Sequence, residues 1–384
     1  MRGRALSAVA SAVVAMLLAG CGGEGPPPWH SLTWQPRDLP VPDGRRALVR
    51  DATWCGDRWY AVGATARGDR TRPAVWTSPD AGTWTSVVLD PRGDFYAARA
   101  VLFSVACHAG HVAVLGAKTG GAHGNPRTAT WHQLPDGSLS AVSAPFEQYG
   151  GPNSISVRRM AGGEGGFQIV GTWSSGAVVW SSPDGRRFVQ HEAAPGLASS
   201  PAAGTQALDA AWWHDSWLVV GDSTASGARL SGTVWTGSGD GPWTPAALPG
   251  GARLAVGERV VLTRDGPLVA GQRDDAFAVW ADHGSWTLTS TFGRQRADAS
   301  EPDFVSGLAW TGHLVAATYS DGASFRLAVG PPDDLTDGVP LPADVDSTGD
   351  HTVTVAAHGD QLLLLADDGV RGGVWTTRAP EPSS

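Results

Sequence analysis

Two segments place aromatic and charged side chains close enough together to hold a ligand. One is "LDPRGDFYAARA" (89–100), with Arg92, Asp94, Phe95, Tyr96 and Arg99. The other is "PFEQYGGPNSISVRR" (145–159), with Phe146, Glu147, Tyr149 and Asn153. Rings of this kind stack on a sugar or a peptide while guanidinium, carboxylate and amide groups orient it. The same residues also suit a plainer role, as rings that anchor a loop beside solvated charges.

Other sets with chemical potential are weaker. "CHAGH" (107–111) has metal-ligand types, yet His214, His313 and His358 recur near matching turns, so a turn preference accounts for it. Asp344, Asp346, Thr348, Gly349 and Asp350 begin like a calcium loop, but Val355 stands where the closing glutamate belongs. There is no G-x-S-x-G, no H-E-x-x-H and no glycine loop with lysine to cradle a phosphate. The sequence therefore calls for no cofactor and no metal.

The elements that must position these residues lie behind an export signal. Arg2 and Arg4 precede an uncharged apolar run from Ala5 to Ala19, too short to span a bilayer as a mature helix, and small residues lead to Cys21. "LLAGC" (17–21) resembles the lipobox of bacterial lipoproteins, which implies that residues 1–20 are removed and Cys21 is lipidated; ordinary secretory cleavage is the alternative. Residues 21–29, with "GGEGPPP", read as a tether, and 30–384 as one domain. The expected location is extracytoplasmic, at the cell membrane through the lipid alone, with a monomer expected. Lys118 is the only lysine among many arginines, alanines and glycines, the bias of a GC-rich, actinobacterial kind of genome. With 28 Lys and Arg against 37 Asp and Glu, a nucleic-acid partner is excluded for want of a basic stripe.

Cys55 and Cys107 remain, in a compartment where disulfides persist. They precede Gly63 and Gly116 at similar distances and so occupy similar places in neighbouring repeats. A structural bridge between them is the preferred reading, with two buried thiols as the alternative.

The repeats define the scaffold. A strand ending at a glycine or its counterpart recurs as "WYAVG" (59–63), "VAVLG" (112–116), "FQIVG" (167–171), "WLVVG" (217–221), "PLVAG" (267–271), "HLVAA" (313–317) and "QLLLL" (361–365). The next strand carries Trp76, Trp131, Trp180, Trp235, Trp280 and Trp375, with Val329 where a seventh would stand. Short strands bounded by Gly, Pro and Asp turns, with no helical period, spell an all-β seven-bladed β-propeller. The last unit lacks a fourth strand, and "SLTWQP" (31–36) resembles the fourth strands elsewhere. An N-terminal strand is therefore expected to complete the last blade and remove an open edge.

"SPDAGTW" (78–84) resembles the Asp-box turn of sialidase-type (BNR) propellers, one residue short of that pattern. By that resemblance Asp80, Asp136, Asp184, Asp240 and Asp282 are structural: their oxygens satisfy turn N–H groups while a tryptophan packs between blades. The resemblance also raises a sialidase-type hydrolase, which needs an arginine cluster and a tyrosine nucleophile beside a glutamate. Tyr149 with Glu147 is the best available pair, but the family's F/Y-R-I-P motif is missing. The first expectation is thus a noncatalytic module for a cell-surface protein or glycan, and the alternative is that hydrolase.

Overall fold

The computed structural model describes residues 27–120, 126–225, 229–296 and 300–381. The expected lipobox with Cys21 lies outside them. Seven β-sheets form the seven blades of a propeller. Their innermost strands are Arg46–Cys55, Val101–His108, Ser154–Gly163, Ala203–Trp213, Ala255–Thr263, Asp303–Trp310 and Thr352–His358. The second strand of each blade is covered on both faces and so reads as a continuous apolar run: Gly166–Trp173 is buried at every position.

The repeated tryptophans form the walls between blades. Trp76, Trp131, Trp180, Trp235 and Trp280 are at most 1% exposed. Three of them also pin the connection that enters their own blade: Trp76 Nε1 donates to Pro40 O, Trp180 to Gln148 O and Trp280 to Pro249 O, at 2.9, 2.8 and 2.8 Å. An indole has one donor, and burying it calls for one acceptor, though Trp131 Nε1 is buried with none within the protein. The repeated residue thus positions loops that do not repeat.

The ring closes as expected. Gln35–Arg37 pairs antiparallel with Gly372–Arg378, with Pro36 opposite Trp375. Folded contacts begin one residue ahead of the expected boundary, because Trp29 Nε1 donates to Thr336 Oγ1 at 3.2 Å. The sixth blade has three strands, and Val329, in the place of tryptophan, exchanges both backbone bonds with Thr336 instead of a fourth strand. In the second blade, Leu89–Asp90 adds a fifth, parallel strand beside Leu139–Ala141.

Asp80 Oδ1 accepts from the N–H groups of Gly82 and Thr83 over a buried Trp84. Asp136, Asp184 and Asp282 accept from the N–H groups of Ser138, Arg186 and Gly284. Asp240 departs from the pattern: it meets His191 Nδ1 at 2.9 Å and so ties its turn to the outer strand of the preceding blade. The second-strand glycines answer a close approach. A Cβ on Gly63, Gly221 or Gly271 would lie 1.8, 1.9 or 1.9 Å from a carbonyl oxygen of the innermost strand. Cys55 and Cys107 form a disulfide, their Cα atoms 5.4 Å apart, linking the ends of the first two innermost strands and deciding against free thiols.

Candidate functional site

The close approach at those glycines belongs to a backbone irregularity that builds the site. In six innermost strands the register slips by one residue, between Val49 and Asp51, Leu102 and Ser104, Val157 and Arg159, Ala207 and Asp209, Gly257 and Arg259, and Val305 and Gly307. A bulge re-aims the side chain it inserts. The six inserted residues, Arg50, Phe103, Arg158, Leu208, Glu258 and Ser306, all line one mouth of the central channel, a cavity of about 590 Å³. This mouth lies where the connections between blades enter the innermost strands.

The residues that follow the bulges close the axis. Arg159 sits between Asp51 and Asp209, with N···O distances of 3.2 and 3.4 Å. Asp51 also accepts from Val105 N–H, Ser104 Oγ from Met160 N–H and Asp209 from Val260 N–H, each bond crossing to another blade. Burial works against the Arg159 charge, but Asp51 and then Asp209 outweigh it and hold the guanidinium above its usual range. Arg259 makes no ion pair among the described residues: it donates to the carbonyls of Ser306 and Glu258, and burial, then the Arg159 charge beside it, push it down to about 10 against the pull of Asp209, Glu258 and Asp51. On the far side of this plug is a second vestibule of about 420 Å³, walled in part by Trp54, Trp212 and Trp310.

Glu258 is the buried acid at the mouth. Burial pushes its carboxyl up to about 7, against the opposing hydrogen bond from Val305 N–H. Its Oε2 accepts from Val305 N–H at 2.6 Å and its Oε1 from Gln272 Nε2 at 2.8 Å. Gln272 Nε2 also donates to Asp303 O at 2.7 Å, so a second acid stands close by at the same mouth. No tyrosine lines it.

The connections read from the sequence form a separate, adjoining cavity of about 500 Å³, in which Arg92, Asp94, Tyr96 and Tyr149 come together. Arg127, missed by the sequence reading, joins the two segments. Its guanidinium carbon lies 3.7 Å from the Phe146 ring centroid and 5.6 Å from that of Tyr96. A third cavity of about 260 Å³ shares Phe146 and Tyr149 with this one and Phe103 with the axial mouth. The three make a trough across the connection face, from the outer part of the second blade to the axis.

Each expected residue finds a definite place. Asp94 turns its carboxylate to the N–H groups of Tyr96 and Ala97, and Arg99 stacks on Phe95 at 3.8 Å. Arg99, Glu147 and Asn153 do not line the cavity. Tyr149 is buried against Trp180, and burial pushes its phenol far up, so the Tyr149 and Glu147 pair lacks the exposure a nucleophile needs. The calcium-like run is engaged otherwise: Asp346 accepts from Thr348 and His351, and Asp350 pairs with Arg50. Among the described residues no His, Cys, Asp and Glu cluster suits a metal, and no helix is long and apolar enough to cross a membrane. The bulged residues repeat near the fifty-residue period, but apart from Arg50 and Arg158 their types differ from blade to blade, so only their position relative to the following strand could have marked them.

No protein-family model and no curated protein matches the sequence. Solved structures of similar shape include the β-propeller domain of the Trilobed protease from Pyrococcus furiosus, at 10% identity and TM-score 0.49, covering 88% of this chain and 96% of that one. Trypanosoma rangeli sialidase, as a covalent intermediate with 2,3-difluorosialic acid, shows 12% identity and TM-score 0.45 over 90% of this chain and 59% of its own. Pyrococcus horikoshii acylaminoacyl peptidase shows 10% identity and TM-score 0.46 over 88% and 53%. The chain spans little more than half the length of the last two. With every one of these scores below 0.5, the blade count rests on the strand pairing above, and no activity carries over.

Proposed function

We propose that this protein is a binding module, secreted and held at the cell membrane by a lipid on Cys21, which keeps an extended ligand in the trough of its connection face. The ligand is a cell-surface protein segment or glycan chain, taken up by a monomer. One observation carries the reading: three cavities share Phe146, Tyr149 and Phe103 as walls, giving an elongated site lined by rings and guanidinium groups on a rigid scaffold. The "LLAGC" segment supports the address.

A second reading, a sialidase-type surface hydrolase, draws on Glu258, an acid pushed up to about 7, beside Asp303 and several arginines at the axial mouth. Against it, both oxygens of Glu258 already hold structural bonds, and no tyrosine is near.

Arrays of glycans and of peptides, probed with the mature protein and with Phe103→Ala and Phe146→Ala variants, separate these readings. Ligands retained by the parent and lost by both variants, with folding intact, are expected. Ligands retained equally by all three proteins would remove the trough from the account. Release of reducing sugar from a retained glycan, abolished in Glu258→Gln, would favour the hydrolase.

A further inference from the structure

One hairpin breaks a rule of strand pairing. In the first blade, Arg58–Arg67 pairs with Arg70–Ser78 so that Arg67 faces Arg70 directly, and Arg72, two residues on, shares their face opposite Thr65. Like charges directly opposite in an antiparallel pair are destabilising. Arg45 adds a fourth charge from behind, donating to Thr65 Oγ1 at 2.9 Å and to Arg70 O at 3.0 Å. Burial, and then the charges of Arg72 and Arg67, hold Arg45 below its usual range. Among the described residues Arg67, Arg70 and Arg72 are exposed and form no ion pair. Proteins keep such local conflicts where a ligand uses them.

The hairpin is fastened to the trough. Thr71 Oγ1 donates to Arg99 O at 2.5 Å, and the segment that ends at Arg99 begins with exposed Arg92 and contributes Tyr96 to the wall against Arg127. Positive charge therefore stands both on the hairpin and in the cavity it is fastened to, where Arg92 and Arg127 are lining residues. It is local, since the chain carries a net charge of −9. The seventh blade, which adjoins the first on its other flank, is acidic instead: no lysine or arginine occurs between Arg326 and Arg371, a stretch with nine aspartates, of which Asp350 and Asp367 pair with Arg50 and Asp367 also with Arg46.

We infer that the ligand of the trough is an acidic glycan, whose carboxylates or phosphodiesters pair with Arg70, Arg72, Arg92 and Arg127 while sugar faces stack on Tyr96 and Phe146. This rests on the trough reading. A glycan fits better than an acidic peptide for two reasons. The outer strand of the second blade, Leu139–Ala141, is already paired on its far side by Leu89–Asp90, so the ladder offers a peptide no free edge there. The middle cavity instead is lined by Thr128, Ser154 and Ser156 beside the Phe146 and Tyr149 rings, a mixture of small polar and aromatic side chains that suits sugar.

The test is titration of the mature protein with three probes: oligogalacturonate, a neutral galactose oligomer of equal length, and poly-glutamate. Oligogalacturonate is expected to bind, and about tenfold more tightly than either of the others. That affinity should fall about tenfold in Arg70→Ala/Arg72→Ala, and as steeply when salt is raised from about 0.05 to 0.5 M. The melting temperature of the double variant should be equal to the parent's or higher, because like-charge repulsion is relieved. Equal binding of the neutral oligomer would overturn the acidic character, and equal binding of poly-glutamate would overturn the glycan. No binding of oligogalacturonate would overturn the inference, leaving the arrays to judge the trough. Binding that needs the arginines but survives Phe103→Ala and Phe146→Ala would overturn the trough and this placement with it.

Discussion

Arg159→Met removes the one cation between two buried carboxylates while keeping most of the side-chain length. The Asp51 and Asp209 side chains are 7% and 10% exposed, and Arg159 itself 23%. Breaking a buried pair by deleting one partner costs about 3–5 kcal/mol, because the remaining charge is left uncompensated. Asp51 keeps Val105 N–H, and Asp209 keeps Ala210 and Val260 N–H, so the lower end applies, about 3 kcal/mol. In a domain of this size that corresponds to a fall in Tm of roughly 4 °C. Burial already raises the Asp209 carboxyl against the opposing Arg159 charge, so without Arg159 it stands further above its unfolded value of about 3.9. Such groups contribute fully below the unfolded pKa and lose their contribution as pH rises through the folded one, so the deficit against the parent should be widest near pH 8 and shrink toward pH 4.5. Melting curves at several pH values measure it, and Asp51→Asn/Arg159→Met/Asp209→Asn should recover most of the loss. A deficit under about 1 kcal/mol that does not vary with pH would refute the reasoning.

Glu258 should make the parent less stable as pH rises from about 4.5 to 7, by up to about 3 kcal/mol, since its folded carboxyl is raised from 4.5 to about 7; Glu258→Gln should flatten that slope in urea titrations. Cys55→Ala/Cys107→Ala removes a bridge that closes a separation of 52 residues, worth about 4 kcal/mol in the chain-entropy limit, and a loss of under about 1 kcal/mol would contradict that value. Cys21→Ser should leave the protein secreted but free of the membrane fraction; mutant protein retained there after a high-salt wash would argue for another anchor.

The scaffold was legible because each blade must solve the same packing problem with the same residues. Trp76, Trp131, Trp180, Trp235 and Trp280 fill the same gap, and Gly63, Gly221 and Gly271 meet the same carbonyl approach, so their spacing alone counts blades. The closing strand was legible for the same reason, although of the expected 31–36 only Gln35 and Pro36 enter the ladder, with Arg37 beyond them. The site was half legible. Arg92, Asp94, Tyr96 and Tyr149 line one cavity, but aromatic–charge proximity in sequence does not distinguish a residue facing a ligand from one capping a turn, as Asp94 does, or stacking on its neighbour, as Arg99 does. Phe103 and Glu258 were hidden because a bulge, which sequence alternation cannot show, turns them to the mouth. Arg127 was hidden because its partners are remote in sequence.

The central claim is that ligand occupies the trough on the connection face, and hydrogen–deuterium exchange with and without a ligand retained on the arrays tests it most directly. Slowed exchange is predicted in peptides covering 91–104, 126–130 and 141–158, which together build the three adjoining cavities. Slowing confined to the opposite vestibule, around Trp54, Trp212 and Trp310, would contradict the account.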